Sequence, residues 1–263
     1  MPAPMVLLGA LAICAGLGWA LRGGFSGQGN GTIVGMDMQG LLFAVISVGA
    51  AVWFFGPMFG VAIIVAVVIH EFGHVAAYRV AGHHDARFRL IPLVGGVAIS
   101  DRLPDSQIKD FFITLMGPAI GIGPMLLAFG MVPYTIHAAP MLTEFLLVFA
   151  SVTGALNFFN MLPFWPLDGG RMLSVIAGAF WPPLGIILPA VMCGLLVTAA
   201  IAMQSLLLFV FAVIGAQGLM RAGEISRMQA PIGKPRAVLA LGAYLAVAGT
   251  LLFGGLGLLT RFL

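Results

Sequence analysis

The sequence predicts an all-α polytopic membrane protein: a helical bundle of about six to eight transmembrane helices, with a short membrane-associated β-hairpin or strand region. Three observations carry this. Of 263 residues, 61% are hydrophobic and only 8% charged, against about 25% charged in soluble domains. The apolar residues gather in runs at 4–21, 41–56, 58–80, 111–131, 143–162, 184–203, 205–221 and 237–258. The basic residues fall in the connections, where one topology puts nearly all of them on one face.

The first run has no basic residue before it, so it reads as a retained span, with signal-peptide cleavage as the alternative. Residues 23–40 are glycine-rich and polar and read as a flexible connection. Gly56-Pro57 divides the second run from the third. In 82–110, Phe88–Val94 and Val97–Ile99 are strand-like pieces around Gly95-Gly96, which suggests a hairpin or strand at the membrane surface. The sixth and seventh runs are too long together for one span, and Gln204-Ser205 is the expected turn. Cys14 and Cys193 lie in apolar runs and read as buried small side chains.

With the N-terminus outside, Arg22, Arg79, Arg87, Arg89, Arg102, Lys109, Arg171, Arg221, Arg227, Lys234 and Arg236 fall on the cytoplasmic side, and only Arg261 falls outside. The net charge of +3 is spread over these connections and gives no reason to expect nucleic acid. The expected partner surface is the lipid bilayer.

Against this background His70-Glu71-Phe72-Gly73-His74 stands out. Ionisable groups are costly inside a bilayer. Counted from Met58, His70 lies about 18 Å along the third span, inside a hydrocarbon core about 30 Å thick. Histidines four apart share one helix face and can share one metal ion, and the glutamate beside them can handle a proton on water. Alternatively, the cluster holds helices together by hydrogen bonds.

Two histidines need a third protein ligand and leave one position for water. Most of the acids, Asp110 among them, lie in polar connections and read as solvated. Asp168 differs. It follows Asn160-Met161-Leu162-Pro163-Phe164-Trp165-Pro166-Leu167 at the end of the fifth span and precedes Gly169-Gly170. Prolines that break the helix and glycines that permit tight turns would let it point back into the bundle.

HExxH at 70–74 and Asn160-x-x-Pro163-x-x-Pro166-Leu167-Asp168-Gly169 together resemble the site-2 protease family of intramembrane zinc metalloproteases, peptidase family M50. Pro92–Val97 and Met116-Gly117-Pro118 also resemble the segment between the two motifs, so the likeness covers roughly 40–180. The resemblance implies one Zn²⁺ per chain, held by His70, His74 and Asp168. Glu71 would be the general base for water and the proton donor to the leaving amine. The chain then divides into 1–40, the first span and its connection; 41–181, the core with both motifs; and 182–263, the C-terminal spans.

Asn160 is a candidate to hydrogen-bond the substrate backbone or an oxyanion, or else a helix-end cap. Gly95, Gly96 and Val97 are candidates to meet an extended substrate by strand addition; the alternative is a hairpin with a glycine turn. The family often has asparagine where Gly121 stands, which removes any polar role at that position. Neither a PDZ-like insertion nor a CBS-like tail is evident, so the chain resembles a compact form.

The implied activity is intramembrane endopeptidase cleavage of single-span membrane proteins, in a multi-pass protein whose site lies near the cytoplasmic face, in the inner membrane if the cell is prokaryotic. His83-His84 are expected to be solvated, and Arg171 to anchor a helix end at the headgroups rather than pair with Asp168. The competing function is a transporter or ion pathway lined by His and Asp, which broken helices at Pro163 and Pro166 would suit. Neither repeated halves nor four Cys or His ligands favour a transporter or a structural metal site.

Overall fold

The computed structural model describes residues 3–25, 38–91 and 95–260. Among these, six helices are long and apolar enough to cross a membrane, and two shorter apolar helices lie near the N-terminus. The protein is an integral multi-pass membrane protein, and its exposed side chains include Trp53, Phe54, Leu239 and Phe253, the surface that lipid rather than water would cover.

The chain forms two compact units. The first contains α1 (Ala3–Ala20), α2 (Met38–Phe55), α3 (Pro57–Val80), β1 (Arg87–Ile91) and β2 (Gly95–Ile99). It also takes in the end of α4 (Gln107–Ile120) from Met116, α5 (Ile122–Thr135), most of α6 (Pro140–Asn160) and the end of α10 (Lys234–Leu259) from Gly249. In it α1 packs on α5, and α2 on α3. The break between α2 and α3 falls at Gly56, whose φ of 80° suits glycine, followed by Pro57 at the first helical position.

β1 and β2 form the expected hairpin, antiparallel, with Arg87 opposite Ile99 and Ile91 opposite Gly95. Gly95 and Gly96 do not separate the strands; they are paired residues of β2. Pro92–Val94, read as part of the first strand, lies outside the described residues, as does most of the glycine-rich connection. The hairpin packs against α2 and α3.

The second unit contains Leu103–Leu115 with the start of α4, the end of α6, α7 (Asp168–Phe180), α8 (Leu184–Ala202), α9 (Leu206–Met228) and α10 up to Ala248. α8 packs on both α7 and α9. The turn between α8 and α9 falls at the expected Gln204-Ser205, where Ser205 caps α9 by accepting the Leu208 N–H at 3.4 Å.

Three elements depart from expectation. The fourth run is two helices, α4 and α5, meeting at Gly121 just after Pro118, which cannot donate a backbone hydrogen bond. α9 continues past its apolar run through Glu224 and Arg227 to Met228. α7 is a helix that no long apolar run announced, because only one of its faces is buried, through Met172 and Ile176.

Candidate metal centre

In the first unit α3 brings its two histidines together as the four-residue spacing requires. The Nε2 atoms of His70 and His74 lie 3.0 Å apart, and the rings meet edge to face with centroids 4.7 Å apart. His70, Glu71 and His74 are 5%, 6% and 8% exposed. Two ring nitrogens converge here, and nitrogen lone pairs facing one point suit a cation between them. These residues fit a divalent metal such as zinc.

The neighbours make room for this cluster. Gly73 lets α3 approach Met116 on α4, since a Cβ there would strike the Met116 carbonyl. Gly117 is the seat of the His74 ring, for a Cβ there would stand 2.2 Å from its Cε1 and Nε2. The Gly117-Pro118 pair thus serves packing against the histidine. Gly96 does the same for Glu71: a Cβ at 96 would come within 2.7 Å of Oε1. Of the three hairpin candidates, Gly96 is at the glutamate, Gly95 begins the strand with φ 120°, and Val97 is exposed.

An apolar cavity of about 480 Å³ adjoins the same end of the hairpin. Phe54 and Ala51 of α2, Ile63 and Val67 of α3, and Ile91 and Gly95 of the hairpin line it.

Asn157 was not anticipated. It sits on α6, fully buried, and its Oδ1 is 2.7 Å from Nδ1 of His70. The available signal was an asparagine within an apolar span, which is as costly there as any unpaired amide. Asn160, the candidate chosen instead, is the last residue of α6 and half-buried.

In the second unit Asp168 is the first residue of α7. The segment before it is held on two sides. The Tyr244 hydroxyl of α10 donates to the Met161 carbonyl, and the Trp165 ring lies over Gly218 of α9. Gly169 and Gly170 are helical, contrary to the turn expected there. They are glycines because the preceding segment folds back on them: a Cβ at 170 would meet the Phe164 carbonyl at 2.6 Å.

Two other expectations are corrected. Arg171 pairs with Asp110, with Nε donating to Oδ2 at 3.1 Å and a second bond from Nη2 to Oδ1. Asp110 is 3% exposed and not solvated, because α4 begins four residues earlier than its apolar run. In the first unit His83 is buried, with Nδ1 3.1 Å from the Ser100 hydroxyl, while His84 is exposed as expected.

Residues 128–181 match the model of peptidase family M50, a stretch that holds Asn160–Gly169. A zinc metalloprotease of Methanocaldococcus jannaschii is 30% identical over 143 residues, covering 52% of this chain and 40% of the relative. Stage IV sporulation protein FB of Bacillus subtilis is 26% identical over 117 residues, 43% of this chain and 38% of the relative. The chain thus spans about two fifths of the length of the curated relatives it matches. A solved site-2 protease from M. jannaschii matches 70% of this chain and 87% of its own, with 21% identity and a TM-score of 0.44. Both motifs stand in order and the family model matches across the second, so in residues 128–181 the chain is similar to peptidase family M50.

Proposed function

We propose that this protein is a zinc endopeptidase that cuts transmembrane segments of single-span membrane proteins. The observation that carries the reading is the convergence of His70 and His74 Nε2 on a helix whose Glu71, between them in sequence, is buried as well. With Asp168, the third ligand that the family resemblance implies, His70 and His74 would offer two nitrogens and an oxygen, a donor set that leaves one position open on a four-coordinate zinc. When bound, zinc would supply Lewis-acid polarisation of the scissile carbonyl and of water.

Glu71 takes the proton from the attacking water and delivers it to the leaving amine. Gly96 keeps backbone alone next to Glu71, so an extended peptide laid along the hairpin could bring its carbonyl to the base. The apolar cavity at that end would take an apolar side chain of the substrate. Such a substrate must unwind locally, since helical amides are already paired. Asn160 remains a candidate contact to the substrate backbone. The loop charges favour a site near the cytoplasmic face, which would be that of the inner membrane if the cell is prokaryotic.

The test is cleavage of a single-span substrate by purified protein in detergent, with zinc assayed in wild type and Glu71→Gln. Cleavage that disappears in the variant while about one zinc per chain stays bound supports the reading. A wild type that takes up no zinc when supplied would remove it and favour a His- and Asp-lined ion pathway.

A further inference from the structure

Asn157 is a fully buried amide in an apolar helix, and both ends of it are committed. Its Nδ2 donates to the Thr153 carbonyl at 2.8 Å. Its Oδ1 lies 2.7 Å from His70 Nδ1. A carbonyl can only accept, so the bond to Thr153 fixes which end of the amide is nitrogen. The oxygen therefore faces His70. An amide oxygen can only accept as well, so His70 Nδ1 must carry the proton.

A neutral imidazole protonated at Nδ1 has its lone pair on Nε2, the atom that faces His74 Nε2. The amide thus selects the tautomer needed for ligation and holds the ring plane. α6 comes close enough for this because Gly121 leaves the space: a Cβ there would stand 2.8 Å from Asn157 Nδ2 and 3.1 Å from Thr153 Cγ2.

We infer that Asn157 is a positioning residue for the metal centre, which sets the tautomer and orientation of His70 so that Nε2 is presented to the ion. The inference rests on the zinc reading above. An asparagine serving only helix packing would be needed for its shape; this one is needed for its acceptor oxygen.

The experiment is zinc affinity by chelator competition on the full chain in detergent, with thermal stability measured alongside. Asn157→Leu and Asn157→Ala both remove the acceptor, so one remains informative if the other does not fold. Each is expected to weaken zinc binding about 10- to 100-fold. Asn157→Asp keeps shape and acceptor and is expected to stay within about threefold of wild type. His70→Ala is the control. If it loses zinc while the Leu and Ala variants bind like wild type, the role of Asn157 is refuted and the zinc reading stands. If Asp weakens binding as much as Leu and Ala, the acceptor oxygen is not what His70 needs, and the inference again fails. If His70→Ala itself binds zinc like wild type, the zinc reading is what has failed.

Discussion

Gly96 of β2 backs onto the carboxylate of Glu71, so closely that a Cβ at 96 would stand 2.6 Å from Glu71 Cδ. The strand and the Glu71 side chain occupy one small space, and only a residue without a side chain allows both. Gly96→Ala is therefore expected to displace Glu71 or the strand by a few tenths of an ångström or more. Misplacement on that scale costs up to about 100-fold in rate. The zinc ligands are untouched, so zinc content should stay at the wild-type level while cleavage of a single-span substrate falls. Cleavage at the wild-type rate would show that the proposed activity does not depend on the hairpin lying beside Glu71.

A second glycine carries the opposite signature. Gly117 faces the His74 imidazole, and nothing larger fits without moving that ring. Gly117→Ala should lower zinc affinity about 10-fold or more. It should also reduce thermal stability, since α3 and α4 approach each other at Gly73 and Met116. Zinc per chain after dialysis separates the two glycines: Gly96→Ala retains the ion and Gly117→Ala loses it.

Much of this site was legible because its chemistry is local. The four-residue spacing of His70 and His74 needs only a helix to bring the rings together, and the sequence of α3 guarantees one. Gly56-Pro57 ended α2 for reasons carried by those two residues alone. What could not be read depends on partners distant in sequence. Asn157 meets His70 across 87 residues, and Asp110 meets Arg171 across 61. An asparagine in an apolar span and an aspartate in a loop look the same whether the polar group is solvated or paired. α7 escaped for a different reason: only one of its faces is buried, and its second and third residues are glycines, poor helix formers that are present for close packing.

The Asp110–Arg171 pair fastens the first turn of α7 to the start of α4, one helical turn from Asp168. Asp110 is buried and Arg171 only partly so, so removing either partner leaves the other incompletely satisfied. Arg171→Met should destabilise the protein by about 2 kcal/mol, the cost of stranding a hydrogen-bonded charge. Asp110→Leu should cost a similar amount, and the double substitution should recover part of the loss. Denaturant titration in detergent, run as a double-mutant cycle, checks this. Strict additivity of the two single losses would show that the pair contributes no coupling.

The hairpin has an acid-sensitive clasp at its end, built on Asp85. The Asp101 N–H donates to Asp85 Oδ2 at 2.6 Å, and the Ser100 hydroxyl donates to the same oxygen at 3.1 Å. The Asp101 N–H is the main reason that the Asp85 carboxyl is held below its ordinary range. Partial burial opposes this, while Ser100 and His83 act in the same direction as the N–H. A carboxylate whose folded value lies below its unfolded value, about 3.9, stabilises the fold fully above that unfolded value. The contribution is lost as pH falls through the lower, folded value. Protection of the hairpin amides against hydrogen exchange, corrected for intrinsic rates, should therefore hold at pH 5 and decline below about pH 4. Asp85→Asn removes the titration: protection should be lower at neutral pH and flat through the acid range. If the variant loses protection with pH in parallel with the wild type, the clasp is not what the acid releases.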